Sequence, residues 1–493
     1  MDGVLASIRR SVGAPKPYAQ PDTRFEATLE WPAPAGCPKT GQAPYGRTVS
    51  DLLIALAAAL PADRIVSDPD LLPRLSADEA SWVVPGRPAA AVLPRSSAEV
   101  AASMGIASRL GVPVVPRGAG TGLSGGATAV DGCLIVCTER MAAVLELDPV
   151  EQLAVVQPGV VTADLDAAAA EHGLWYPPDP SSWLTCTVGG NVATDAGGLC
   201  CVRWGTTGAY VLALEVVLAD GTVLRTGRRT RKGVAGLDLT SLFVGSEGVL
   251  GIVTEATVRL RPRRSAPATV VAVFDDVPAC GSAVTDVLAA GLSIELLEVM
   301  DRTTLLAVEE LTHMGLGQPA ALLVAQVQRH DELAELSTLL RAGGALEVHE
   351  TTDAAESEAL LQARRLALPA LQARGPVLLD DVCVPVGRLA ETLVGIEQIA
   401  AETGVVIGTF GHAGDGNLHP TIVQADRAAA QEAFDAVIRL AIDLGGTSTG
   451  EHGIGVLKAP WLEREVGAAS LAAQRAIKRA LDPAWLMNPG KVL

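Results

Sequence analysis

The 493-residue sequence predicts an α+β protein with two principal domains. Three observations carry that reading. The first half is dense in glycine and mixes short strands with helices. The second half changes to a longer β-α-β-β-α-β rhythm. The segment Arg261-Pro262-Arg263-Arg264 lies between them, and a closing helix leads into Met487-Asn488-Pro489-Gly490-Lys491. The expected bounds are 49–264, 265–470, and a C-terminal segment, 471–493, that returns to the first domain.

Residues 1–48 stand apart. They hold seven of the 31 prolines and no helix or strand pattern, so they read as a loosely ordered leader. Folded structure is expected from Ser50, a good N-cap for a helix over 51–60. Next come strands near 91–93, 112–115, 133–137 and 153–157, with helices over 97–110 and 162–172. The turn Asp220-Gly221 between apolar runs at 214–218 and 222–225 signals a hairpin. In the second half, strands are expected at 269–274, 322–327, 345–349, 377–384 and 405–409. They alternate with helices over 278–290, 331–340, 354–371 and 389–403, a ferredoxin-like arrangement of a sheet covered by helices.

Composition removes several functions. Lys plus Arg is 38 and Asp plus Glu is 56, a net charge of −18. Such a chain has no global attraction for nucleic acid or an anionic membrane. The apolar run 52–60 ends at Pro61, well short of the ~20 residues a transmembrane helix needs. Arg9 and Arg10 are followed by no apolar stretch, so no export signal is expected. The eight cysteines contain no CxxC and read as reduced thiols, not a zinc site. The sequence points to a cytoplasmic protein, with any membrane link peripheral or through a partner.

Three glycine-rich segments carry the first chemical signal. Pro116-Arg117-Gly118-Ala119-Gly120-Thr121-Gly122-Leu123-Ser124-Gly125-Gly126 follows a strand. Its glycines let backbone N–H groups turn inward as a nest for pyrophosphate, or simply make a tight loop. It lacks the Gly-Lys-Ser/Thr of a P-loop and the following helix of a Rossmann turn. The second segment joins Asp179, Ser181 and Ser182 to the small-residue run Thr187–Gly198. It suits a flat ring lying against backbone, or an irregular surface loop. The third, Val244–Thr254, turns through glycines into a strand.

Histidine carries the second signal. Three of seven fall between 412 and 452. His412-Ala-Gly-Asp-Gly-Asn417-Leu-His419 places two around a reversal. Thr449-Gly450-Glu451-His452-Gly453-Ile454-Gly455 adds a carboxylate and a third. Two His and one Glu make an open divalent-metal set, so a metal-dependent hydrolase is the rival reading of these residues alone.

In order and spacing, the three glycine-rich segments resemble the FAD-binding domain of vanillyl-alcohol oxidase-type enzymes. The histidine segments and Met487–Lys491 narrow the resemblance to FAD-linked D-2-hydroxyacid dehydrogenases: D-lactate dehydrogenases and the flavin subunit of bacterial glycolate oxidase. The fold implied is that FAD-binding domain with a ferredoxin-like substrate (cap) domain.

The resemblance assigns FAD contacts to Pro116, Arg117, Gly118, Ala119, Gly120, Thr121 and Gly122. It adds Asp179, Ser181, Ser182, Thr187, Gly189, Gly190, Asn191, Ala193, Thr194 and Gly205. Glu247, Gly248, Ile252, Val253 and Thr254 would lie near the adenosine half, and Asn488 would also touch the cofactor. No histidine lies in Thr121–Gly126, so non-covalent FAD is implied. His412, His419 and Glu451 would bind Zn²⁺ or Mn²⁺, and His452 would be the general base. Arg364 would hold the substrate carboxylate, with Arg365 as its rival, and Asn417 would also face substrate. The implied reaction is oxidation of a small D-2-hydroxy acid, D-lactate or glycolate, to the 2-oxo acid by hydride transfer to flavin N5. D-2-hydroxyglutarate is the alternative substrate, but Leu368 and Leu379 stand where its dehydrogenases carry a threonine and a lysine. The resemblance also extends to a subunit active only in a multisubunit oxidase, and more weakly to the non-redox alkylglycerone-phosphate synthases. Partner subunits or a homodimer are expected, and the acceptor stays open among quinone, cytochrome, flavoprotein and oxygen.

Overall fold

The computed structural model describes residues 45–493, with side chains described from residue 49. The expected leader therefore lies almost wholly outside the described residues. Those described fall into two compact units. One comprises 45–197, Gly205–Arg263 and Glu451–Leu493; the other comprises Gly198–Trp204 and Arg264–Gly450.

In the first, glycine-rich unit, the opening helix runs Tyr45–Ala59, so Ser50 lies inside it and not at its N-cap. The helix Ser97–Leu110 matches the expected span. The Ser96 hydroxyl accepts from Glu99 N, and Gly111 closes the helix at φ +65°. Four strands form a mixed sheet in the order Ile65–Val66, Ala90–Val92, Leu134–Cys137, Val114–Arg117. Leu52, Leu56, Val100, Met104, Val114, Leu134 and Met487 share one buried cluster with both helices. A second, antiparallel sheet orders Val144–Asp148, Leu153–Val156, Ile252–Arg259, Val211–Val217 and Val223–Gly227. The last two are the expected hairpin, closed by Gly221 N donating to Leu218 O at 3.0 Å.

The C-terminal segment is built into this unit. Met487 pairs in parallel with Val114, and Asn488 N donates to Val114 O at 2.7 Å. Lys478 is buried and donates to Val249 O, Met487 O and Asp482 Oδ2 at 2.6, 2.8 and 2.5 Å. Asp482 in turn accepts from Leu486 N and Met487 N. Residues 451–470 also belong here, although the sequence assigned them to the second domain. Val456 N donates to Ser124 O at 2.8 Å, and Ile454 N and Gly455 N donate to the Glu247 carboxylate. Those long-range bonds outweigh proximity in sequence to the strands before Gly450.

The second, antiparallel unit is one sheet of eight strands. They are β1 (Ala268–Phe274), β2 (Ile294–Asp301), β3 (Ala321–Val327), β4 (Glu347–Thr351), β5 (Val377–Leu379), β6 (Val382–Cys383), β7 (Val406–His412) and β8 (Asn417–Val423). The order is β4-β1-β3-β2-β7-β8-β5, with β6 also paired to β8. Its helices are α1 (Val277–Ala289), α2 (Arg302–Thr312), α3 (Leu333–Ala342), α4 (Ala354–Arg365), α5 (Ala367–Ala373), α6 (Leu389–Thr403) and α7 (Arg427–Asp443). β4-β1-β3-β2 is the ferredoxin-like order that the rhythm implied. β1, β2 and β3 are buried along their whole length, as strands covered on both faces must be.

Several expectations need correction. Strands β2 and β8 and helices α2 and α7 were not anticipated. The helix over 354–371 breaks at Leu366 into α4 and α5. The strand over 377–384 splits at Asp380-Asp381 into β5 and β6. In β2, three acidic residues interrupt the apolar run, which hides its period. One of them, Glu295, is fully buried. It accepts from Trp204 Nε1 at 2.8 Å and pairs with Arg203 at 3.2 Å and with Arg264. That junction holds the Gly198–Trp204 excursion to this unit.

Replacing Lys478 with Met leaves Asp482 buried without its cation. The expected loss is about 3–5 kcal/mol of unfolding free energy, measured by urea titration. Adding Asp482→Asn should recover part of it; an unchanged single variant would remove the buried pair from the account of this terminus.

Candidate active site

In the glycine-rich unit, the strand Val114–Arg117 ends in a loop whose shape glycine dictates. Arg117 is buried, and its Nη1 donates to Ala77 O at 2.6 Å. Gly120 lies against that guanidinium at φ +77°, where an added Cβ would come within 2.0 Å of Nη2. Beneath the loop, Asp78 accepts from Ala127 N, Thr128 Oγ1 and Ala80 N. The backbone N–H groups of Ala119, Gly120, Thr121 and Gly122 have no acceptor among the described residues. Four donors are thus left to an outside acceptor.

The other small-residue segments close on this loop. A Cβ at Gly118 would meet Thr187 Oγ1 at 2.6 Å and Gly190 at 3.7 Å. Thr187 caps the short helix Val188–Thr194, its hydroxyl accepting from Gly190 N. Gly189 packs on Pro158, and Asn191 donates to Thr162 Oγ1 at 2.8 Å. Gly245 N and Glu247 N donate to Val192 O and Ala193 O. Gly248 lies against Pro116. Asn488 Nδ2 donates to Gly126 O and Glu247 O at 2.8 and 2.7 Å. Thus 116–122, 187–194, 247–248 and 488 converge.

The remaining expected contacts lie on other segments of the same unit. Ser181 is exposed on a loop folded back by Cys186 N to Ser182 O, next to Asp179 and Pro180. Gly205 starts the return from the excursion at φ +78°. Ile252, Val253 and Thr254 open a buried strand, and the Thr254 hydroxyl donates to Glu215.

Glu247 has a role the sequence did not suggest. Its carboxylate accepts from Ile454 N and Gly455 N at 2.7 and 2.8 Å, while its own backbone is bonded to Ala193 and Asn488. It holds the loop that follows Glu451 and His452. Burial pushes this carboxyl up to about 7, against the lowering effect of the two amides and Lys458. Glu451 and His452 are half-buried, with Oε1 and Nε2 3.7 Å apart.

In the antiparallel unit, β7 and β8 form a hairpin through Ala413–Gly416. His412 pairs with Asn417, and Phe410 with His419. The reversal needs glycine: Gly416 has φ +81°, and a Cβ there would come within 2.0 Å of Val384 O. His412 and His419 are both buried, ring centroids 5.1 Å apart and nearly perpendicular. β2 lies against β7 with Glu298 opposite His412, and Glu298 Oε1 is 2.7 Å from His412 Nδ1. From α4, Arg364 Nε donates to Glu298 Oε2 at 2.7 Å, and its guanidinium lies 4.7 Å from the Phe410 ring centroid. Arg364 faces inward. Arg365 lies on the exposed face and pairs with Glu358.

Asp381 completes this wall. Its Oδ1 is 3.6 Å from His419 Nδ1, and its Oδ2 accepts from Thr449 Oγ1 and Gly450 N at 2.8 and 2.9 Å. Gly450 passes directly over Asn417, where a Cβ would come within 2.5 Å. Glu451 and His452 are the next two residues. Sequence reasoning gave no role to Glu298 or Asp381. Their signal was present as carboxylates inside the apolar runs 294–300 and 377–384, positions that cost free energy unless partnered.

Residues 88–227 match a model described as an FAD binding domain, and 263–492 match the C-terminal domain of FAD linked oxidases. The chain is 42% identical over 419 residues to glycolate oxidase subunit GlcD of Bacillus subtilis, covering 82% of this chain and 89% of that one. The chain belongs to the FAD-linked oxidase family. The D-lactate dehydrogenase of Archaeoglobus fulgidus is 36% identical over 406 residues, covering 82% and 90% of the two chains. Among solved structures, 4-ethylphenol oxidase from Gulosibacter chungangensis superposes with a TM-score of 0.74 at 20% identity, over 93% of this chain and 98% of that one. A p-cresol methylhydroxylase does so with 0.74 at 16%, over 91% and 96%. At such identity the likeness concerns the fold, which is the vanillyl-alcohol oxidase type.

This FAD-linked oxidoreductase has a cradle that fits its cofactor. The amides at 119–122 suit a pyrophosphate, and the close approach of Gly118 to Thr187 and Gly190 leaves no room for side chains. Among the described residues no helix is long and apolar enough to cross a membrane.

Ionising Glu247 in the folded state is disfavoured. Its contribution to stability is therefore present below the ordinary carboxylate range and lost as pH rises through about 7. Between pH 5 and 8, wild type should lose on the order of 2 kcal/mol relative to Glu247→Gln, read from paired urea titrations. Parallel pH profiles would show that this carboxyl does not titrate in that window.

Proposed function

We propose that the protein oxidises a small D-2-hydroxy monocarboxylate, D-lactate or glycolate, to the 2-oxo acid. The observation that carries this is the wall formed by Arg364, Glu298, His412, His419 and Asp381. It presents one inward guanidinium and two buried imidazoles, each beside a carboxylate. The names of the relatives, glycolate oxidase subunit and D-lactate dehydrogenase, support the same substrate class.

Arg364 would bind the substrate carboxylate through its Nη edge, because Nε is committed to Glu298. One such cation suits a monocarboxylate. Leu368 and Leu379, packed against the apolar core, offer nothing to a second carboxylate. His412, His419 and Glu451 would hold a divalent cation, Zn²⁺ or Mn²⁺, with Asp381 as a further carboxylate. The donor set fits: imidazoles backed by carboxylates are the usual companions of such ions. When bound, FAD would supply the oxidising equivalent for the hydroxy acid, and the cation would supply Lewis acidity toward its hydroxyl. His452 would take the hydroxyl proton at an imidazole nitrogen, with Glu451 beside it. Asn417, buried under Gly450, would fix the substrate's orientation through its amide.

The GlcD relatives are named as subunits, which favours a second reading: electrons pass from this chain to partner subunits. The isolated chain would then need an artificial acceptor to turn over.

The purified protein should be yellow with releasable FAD. D-Lactate or glycolate should bleach it anaerobically, D-2-hydroxyglutarate should not, and EDTA should slow the bleaching. His452→Ala should slow reduction about 10²–10⁴-fold. Equal reduction rates in that variant would remove the base, and bleaching by none of these acids would overturn the substrate class.

A further inference from the structure

We propose that Glu298 is a positioning residue that couples substrate-carboxylate binding to metal binding. It rests on the reading above, in which Arg364 faces the substrate and His412 the cation. One carboxylate serves both. Oε1 lies 2.7 Å from His412 Nδ1, and Oε2 accepts from Arg364 Nε at 2.7 Å. Its side chain is fully buried, and its two partners are about 5% exposed.

The first bond sets the imidazole. A carboxylate accepts, so Nδ1 carries the proton and the Nε2 lone pair points away from Glu298. The second bond sets the guanidinium. With Nε held and the plane packed on Phe410, only the two Nη groups remain to be presented. Register enforces the pairing, because β2 and β7 place Glu298 directly opposite His412.

Charge gives the coupling its sign. A buried guanidinium and a divalent cation repel one another across a few residues. The Glu298 charge lies between Arg364 and the His412 ligand and offsets that repulsion. A glutamine there keeps the shape and loses the charge. Its one carbonyl can satisfy His412 or Arg364, and its NH₂ then opposes the other donor. Glu298→Gln should therefore weaken both binding events, not one.

The test uses the FAD-loaded, metal-stripped protein. Zn²⁺ and Mn²⁺ are titrated separately by calorimetry; with the preferred cation then restored to saturation, oxalate, a non-oxidisable carboxylate, is titrated by its perturbation of the flavin spectrum. Glu298→Gln should keep FAD stoichiometry, weaken the preferred cation at least tenfold, and weaken oxalate at least tenfold. Glu298→Asp should restore part of either, and it carries the test if the glutamine variant loses FAD. Constants within twofold of wild type for both ligands overturn the proposal. A change in only one overturns the coupling. A wild-type protein that binds FAD but neither cation overturns the metal reading, and this role with it; normal wild-type binding with an indifferent Glu298→Gln overturns Glu298 alone.

Discussion

The constraint on which the rest depends is that a few carboxylates are buried and each must be fully partnered. Burying an unpaired charge costs several kcal/mol, so every such group dictates what surrounds it. Glu247 organises the glycine-rich unit. Its carboxylate takes the amides of 454 and 455, and its backbone ties the 187–194 helix to Asn488. Three segments far apart in sequence are thereby fixed around one residue. Glu298 and Asp381 do the same for the antiparallel unit, each reaching a histidine of the β7–β8 hairpin.

Glycine works with these anchors. Gly120 admits the Arg117 guanidinium, and Gly450 lets the chain cross Asn417 on its way to Glu451. Neither is a flexible joint. Each is a close approach that a side chain would block, and each sits next to a residue assigned to the site.

Much of this was legible in the sequence. Elements with clean periodicity, such as the helix 97–110 and the strand at 269–274, appear within a residue or so of their expected ends. The glycine segments were legible as a cradle because small-residue runs make poor core. What the sequence hid follows from the same buried carboxylates. Glu295, Glu298 and Asp301 break the apolar pattern of β2, so a fully buried strand did not look like one. Asp380-Asp381 split an expected strand for the same reason. The long-range bonds of Glu247 moved 451–470 into the other unit, and no local pattern can report a bond across 207 positions.

Electrostatics ties these points to function. At −18 the chain repels an anionic acid at long range, but beyond about 8 Å physiological salt screens much of that repulsion. What matters is the local charge. Arg364 paired with Glu298 is close to neutral as a unit, so the guanidinium orients an acid without attracting it strongly. His412 and His419 add no charge while neutral. On the proposed reading, the net positive charge that draws the carboxylate in must then come with the cation. Substrate and metal would bind in dependence on one another. A site arranged this way would discriminate against an acid that lacks the α-hydroxyl, because such an acid keeps the Arg364 contact but loses one ligand to the cation.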